Sequence, residues 1–145
     1  MQAPSVHDAR LAGLRVLVVD NVEIVLASMA RTLQSWGCQI HSASSLKQAL
    51  AVAENHALDL IISDFHLGDL EPDGLVLIAA LRRLQAKGQP LLPALLMTGD
   101  VSSQLDAQAR QCQVDVLHKP VRPAVLQDRL LRLLACETAS PGGYS

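Results

Sequence analysis

Hydrophobic and polar positions along this chain alternate between two patterns. Leu14-Arg15-Val16-Leu17-Val18-Val19-Asp20 is a near-continuous apolar run rich in β-branched residues, the mark of a strand buried on both faces of a parallel sheet. Asp20 and Asn21 follow as helix-capping residue types. Val22, Val25, Met29, Leu33 and Trp36 then recur at helical spacing until Gly37 stops the helix. Cys38 to Ser42 is a shorter, more polar strand and is expected at a sheet edge.

Ser44-Ser45 opens a helix carrying Leu46, Ala49, Leu50 and Ala53. Asp59 to Asp64 is the third strand. Gly74 opens a helix with Leu77, Ile78, Leu81 and Leu84 that closes near Gly88. Leu92 to Thr98 is the fourth strand, and Val101 to Gln111 a helix with few apolar positions, at Val101, Leu105 and Ala109, followed by Cys112. Val114 to His118 is the fifth strand, stopped by Lys119-Pro120. Pro123 takes a first-turn position, and Val125, Leu126, Leu130, Leu133 and Leu134 line the last helix. Leu131 is expected at the surface of that helix as a candidate contact residue.

Five β-α units in unbroken alternation predict an α/β fold, a flavodoxin-like, doubly wound, five-stranded parallel sheet of order 2-1-3-4-5 with helices on both faces. The domain is expected over residues 13–136, between a mobile leader at 1–12 and a mobile tail at 137–145. The 145 residues suit one domain with one core, and half of them are hydrophobic. Aromatics are scarce, which argues against a stacking surface for single-stranded nucleic acid. A net charge of -2, with no basic cluster longer than Arg82-Arg83, argues against DNA and anionic membranes as partners. Cys38, Cys112 and Cys136 have no metal spacing and read as reduced thiols. With no signal-peptide core and no membrane-length run, a soluble cytoplasmic setting is expected.

The candidate chemistry lies at strand ends. Asp20, Asp64, Thr98 and Lys119 each close a predicted strand, and the switch point of this topology brings the first and third strands together, so both carboxylates should meet in one crevice. Taken singly, Asp20 reads equally well as a helix cap and Asp64 less readily as a loop cap, whereas Thr98 reads more readily as a strand-end residue and Lys119 as solvated surface. Placed together, two carboxylates call for a hard divalent cation such as Mg²⁺. A lysine and a hydroxyl opposite them suit phosphoryl transfer onto a carboxylate.

With these residues in hand, Val-Leu-Val-Val-Asp20, Ser63-Asp64, Met97-Thr98-Gly99 and His118-Lys119-Pro120, the chain resembles the receiver domain of bacterial two-component response regulators over roughly Leu14 to Leu134. Ser35-Trp36-Gly37-Cys38, Thr98-Gly99-Asp100 and Leu117 to Val121 look closest to receivers of hybrid sensor histidine kinases. The resemblance implies that Asp64 accepts a phosphoryl group from a phosphohistidine. It implies further that Asp20, Asn21, Asp64 and the backbone carbonyl of His66 hold Mg²⁺, that Thr98 is the switch hydroxyl, and that Lys119 contacts the phosphoryl group. It makes the Lys119–Pro120 bond a candidate cis peptide. The implied partner is a histidine kinase or histidine phosphotransfer domain, with a weak homodimer as a further association. No independent enzyme is implied beyond Mg²⁺-dependent self-phosphorylation and dephosphorylation at Asp64.

Three departures from the family pattern stand out. Asn21 occupies a position that is usually a second acid and a metal ligand. The loop from Asp64 to Gly74 is longer than usual, through Leu70-Glu71-Pro72-Asp73. Val116 stands where the family carries Tyr or Phe, so an aromatic switch is absent. These keep a second reading open, an unphosphorylated pseudo-receiver acting as a protein-interaction module. A nucleotide or flavin binder ranks last, because no glycine-rich phosphate loop follows the first strand.

Overall fold

The computed structural model of the chain describes residues 9–100 and 102–139, with side chains through Ala135. Its strands are β1 (Arg15–Val19), β2 (Gln39–Ala43), β3 (Leu60–Asp64), β4 (Ala94–Thr98) and β5 (Asp115–His118). They alternate with helices α1 (Glu23–Ser35), α2 (Leu46–Asn55), α3 (Gly74–Arg82), α4 (Ser103–Gln111) and α5 (Pro123–Ala139). All strands pair in parallel in the order β2-β1-β3-β4-β5, as the alternation predicted. The polar β2 is an edge.

Successive side chains of a strand point to opposite faces, and the sheet sorts them into two cores. Val16, Val18, Leu60, Ile62, Leu95 and Met97 pack against Leu26 and Leu33 of α1 and Leu126 and Leu130 of α5. Leu17, Val19, Ile61, Ala94 and Leu96 pack against α2, α3 and α4 through Ala49, Leu77, Ile78, Leu81, Leu105 and Ala109. A strand covered on both faces needs no polar alternation, which is why β1, β3 and β4 read as continuous apolar runs.

The helices depart from their sequence reading at several points. Val22 is half exposed, Ile24 is 76% exposed, and α1 turns Leu26 and Leu33 inward instead. Val22 is itself the N-cap of α1 and makes no side-chain cap bond, so Asp20 and Asn21 do not cap the helix in the expected way. Helix α3 ends at Arg82 rather than near Gly88, and Leu84, in the turn beyond it, is 46% exposed. Val125 faces solvent, and Cys112 is exposed rather than part of the apolar stripe of α4. Leu131 is partly buried against the first core, not a free surface leucine. Val101 and the side chain of Cys136 lie outside the described residues, as do positions 1–8 and 140–145.

Leu11, placed by sequence in the leader, is fully buried. Its turn docks on the end of α1, where Gly13 N donates to Gly37 O at 2.8 Å. Gly37 has φ +92°, and a Cβ there would stand 3.1 Å from the Ala12 Cα, so both backbone conformation and contact call for glycine.

Candidate functional site

Strand register assembles the site. Val19 of β1 pairs with Ser63 of β3, so Asp20 and Asp64 leave the sheet side by side, from strands about 4.8 Å apart. Thr98 pairs with His118, which sets Lys119 one residue beyond Thr98 on the neighbouring strand. Backbone bonds hold the exits in place: Phe65 N to Met97 O, Lys119 N to Thr98 O and Gly74 N to Phe65 O, each at 2.8 Å. The Lys119–Pro120 peptide is cis.

Of the residues singled out in the sequence, four converge. Lys119 Nζ lies 2.9 Å from Asp64 Oδ1. Asp64 keeps only 7% of its surface exposed, and Asp20 and Thr98 are each 1% exposed. Asp20 Oδ1 accepts from the N–H of Val22 at 2.9 Å. Burial pushes the Asp20 carboxyl above its ordinary range; the Val22 N–H opposes that rise, Asp64 adds to it by repulsion, and Lys119 offsets part of it. Thr98 Oγ1 accepts from Asp100 N at 2.9 Å, a bond that leaves its own proton available to a ligand.

Asn21 is exposed at the rim of the site, and a Cβ added to Gly68 would lie 3.6 Å from its Nδ2. The imidazole of His66 is exposed and rests edge-on against Phe65, with centroids 4.8 Å apart. Only the His66 carbonyl, not its ring, enters the expected ligand set.

The arrangement suits a hard cation. Asp20 Oδ2 is buried with no hydrogen-bond partner, a costly state for a carboxylate oxygen that coordination would relieve. Asp20 and Asp64 leave adjacent strands beside that oxygen, and with Asn21 and the His66 carbonyl they make up the ligand set expected from the resemblance. The described residues contain no cluster of three or more His, Cys, Asp or Glu side chains suited to a metal. The site offers two carboxylates, Asp20 and Asp64, and the neutral amide of Asn21 follows Asp20 in sequence.

Three features were not legible beforehand. A cleft of about 690 Å³ runs between α1 and α5, lined by Ile24, Val25, Met29, Pro120, Val121 and Leu126 among others, and Lys119 stands in its wall. His118 Nε2 lies 3.5 Å from Asp106 Oδ1 and links the end of β5 to α4. Glu71, in the long loop, accepts at Oε1 from Leu46 N at 2.8 Å. Which apolar residues of α1 stay uncovered is decided by the packing of α5, and the other two contacts join segments far apart in sequence and have no local signature.

Residues 16–131 match the response regulator receiver domain model. The chain is 29% identical over 128 residues to the sensory/regulatory protein RpfC of Xanthomonas campestris, covering 88% of this chain and 17% of that protein. It is 31% identical over 128 residues to the virulence sensor protein BvgS of Bordetella pertussis, covering 85% and 10%. It is likewise 31% identical over 124 residues to the transcriptional regulatory protein ZraR of Escherichia coli, covering 85% and 27%. It thus spans well under a third of each of these curated relatives. Among solved structures, the chemotaxis protein CheY4 of Vibrio cholerae superposes with a TM-score of 0.74 at 28% identity, over 84% of this chain and 99% of that one. Among the described residues, no helix is long and apolar enough to cross a membrane.

Proposed function

The chain belongs to the response regulator receiver domain family, and from that premise we propose that it is the phosphoacceptor of a two-component phosphorelay, taking a phosphoryl group from phosphohistidine onto Asp64. The observation that carries this reading is the pairing of Lys119 with Asp64 at 2.9 Å, beside a buried Asp20 oxygen that lacks a partner. An Asp64 carboxylate oxygen forms the new P–O bond while the donor's P–N bond breaks and the imidazole keeps the electron pair. Lys119, already at the acceptor, then pairs with a phosphoryl oxygen, and the Thr98 hydroxyl donates to another. Mg²⁺, when bound at Asp20, Asn21, Asp64 and the His66 carbonyl, supplies positive charge against the two carboxylates and the phosphoryl oxygens.

The α1–α5 cleft suits the donor side of the reaction. Ile24, Met29 and Val121 offer an apolar trough whose wall includes Lys119, so a helix bearing the phosphohistidine can bury an apolar face there beside the acceptor. A histidine kinase or a histidine phosphotransfer domain is the partner class. The similarity to two sensor proteins favours a receiver belonging to a hybrid sensor histidine kinase in the cytoplasm.

A second reading, the unphosphorylated pseudo-receiver, is favoured by Asn21 and the two-carboxylate site. Intact mass spectrometry after incubation with Mg²⁺ and phosphoramidate, or with a phosphorylated histidine phosphotransfer domain, separates the two. The phosphoacceptor gains one phosphate, and Asp64→Asn abolishes it. No adduct from either donor leaves the pseudo-receiver standing.

A further inference from the structure

The loop between Asp64 and Gly74 is pinned at several places and exposes its tip at Gly68, Asp69 and Leu70. Leu67 is buried in the second core. Gly68 O accepts from Glu71 N at 3.2 Å. Asp73 Oδ1 caps α3 through Val76 N at 2.9 Å. Glu71 reaches across to the start of α2, whose first N–H groups lack partners inside the helix; Ser45 Oγ takes the Gln48 N–H and Glu71 takes that of Leu46. Between these anchors Leu70 is 98% exposed.

A lone exposed leucine is ordinary. This one is set apart by rigidity and position. The loop is closed at its base by the Gly74 N to Phe65 O bond, and a Cβ on Gly74 would meet the Asp64 carbonyl at 2.5 Å. Leu70 is four residues from Gly74, whose Cα lies within about 4 Å of the Asp64 carbonyl oxygen, so it cannot lie more than about 18 Å from the backbone of that strand end. A protein docked over Asp64 with a standard patch of about 800 Å² covers a radius of roughly 16 Å. The rim of such a donor therefore comes to within about 2 Å of the farthest position open to Leu70, whereas a small phosphodonor bound at Asp64 leaves the leucine uncovered. Glu71 ties down the backbone next to the leucine, so covering it orders little of the loop beyond the leucine side chain itself.

We propose that Leu70 is a specificity-determining residue for the protein donor, an apolar knob that packs against the phosphohistidine-bearing partner, and that Glu71 is the positioning residue that presents it. The proposal rests on the phosphoacceptor reading given above. The test compares phosphotransfer to the wild-type chain, Leu70→Asn, Leu70→Met and Glu71→Ala. One donor is phosphoramidate; the other is the fastest of a panel of phosphorylated histidine phosphotransfer domains.

Leu70→Asn is expected to raise KM for the protein donor about tenfold, the ratio that ~1.4 kcal/mol of lost leucine burial produces. Transfer at saturating donor and the phosphoramidate rate are unchanged. Leu70→Met restores most of the loss, and Glu71→Ala raises KM in the same direction by a smaller factor. An unchanged KM in Leu70→Asn overturns the proposal and leaves the phosphoacceptor reading intact. An equal loss with phosphoramidate also overturns it, because the loop then acts on Asp64 rather than on a partner. A wild-type chain that takes no phosphoryl group from any donor overturns both, and one that takes it from phosphoramidate alone overturns Leu70 as a reader of phosphohistidine proteins.

Discussion

Lys119 Nζ stands 2.9 Å from Asp64 Oδ1, so the Asp64 carboxylate carries its own counter-cation, delivered by the loop after an edge strand of the sheet. The pair is formed by a half-exposed lysine and a nearly buried acid. Because Asp64 is nearly buried beside Asp20, taking the lysine away leaves two carboxylates without their counter-charge, so the pair bears on stability as well as on chemistry.

Replacing Lys119 with alanine is therefore expected to slow adduct formation from phosphoramidate by roughly 10²-fold, the usual scale for losing one charged group at a site of developing negative charge. Without Mg²⁺ the thermal midpoint should also fall, because the nearly buried Asp64 loses its counter-charge. Time-resolved intact mass spectrometry with a parallel melt checks both halves, and an unchanged rate of adduct formation would remove Lys119 from the phosphoryl chemistry.

Asn21→Asp adds a carboxylate at the rim of the cation site and is expected to tighten Mg²⁺ binding by about tenfold, since ligand charge sets affinity for hard cations. Calorimetric titration is the suitable measurement. Trp36 is buried at the far end of the thirteen-residue α1, about 20 Å along the helix from Asp20, and its fluorescence should respond poorly. Equal or weaker binding in the variant would remove Asn21 from the ligand set.

Asp20 gives a pH-dependent prediction whose sign follows from its burial. Its folded carboxyl sits above the ordinary value of 3.8, chiefly through desolvation, so the folded chain holds this proton more tightly than the unfolded one. The resulting destabilisation is fully present above the raised value and disappears as the pH falls to the ordinary one. Without Mg²⁺ at pH 7, Asp20→Asn should therefore be more stable than the wild type by about 1 kcal/mol, with the gain fading toward pH 4. Urea unfolding at both pH values tests this, and added Mg²⁺ should stabilise the wild type more than the variant.

Gly74→Ala places a methyl 2.5 Å from the Asp64 carbonyl oxygen and 2.6 Å from Leu96 Cδ1. Overpacking of this kind is expected to cost about 1–3 kcal/mol. It should also push Asp64 off its position and slow phosphorylation by phosphoramidate. A variant with wild-type stability and rate would show that α3 can slide away without disturbing the acceptor.

How far each feature could be read in advance depended on its range. The continuous apolar runs of β1, β3 and β4 announced strands covered on both faces, and the polar β2 announced an edge. Helix faces were read less well. Periodicity can say that α1 has an apolar stripe, but Val25 and Met29 of that stripe line an open cleft, and only packing against β1 and α5 distinguishes them from Leu26 and Leu33. Leu84 and Val125 failed for a related reason: the apolar positions continued past the point where the helix end or the neighbouring layer stopped covering them.

Sequence by itself determined the five β-α units, the parallel sheet and the identity of Asp20, Asp64, Thr98 and Lys119 as strand-end chemistry, because burial pattern and strand termination are written in neighbouring residues. The tertiary structure alone decided that Lys119 contacts Asp64, that one oxygen of Asp20 is left without a partner, and that Glu71 ties the acceptor loop to α2. Those outcomes depend on which polar groups remain unpaired once the strands are in register and the helix ends are in place. They are decided across the sheet, between residues that no local pattern connects.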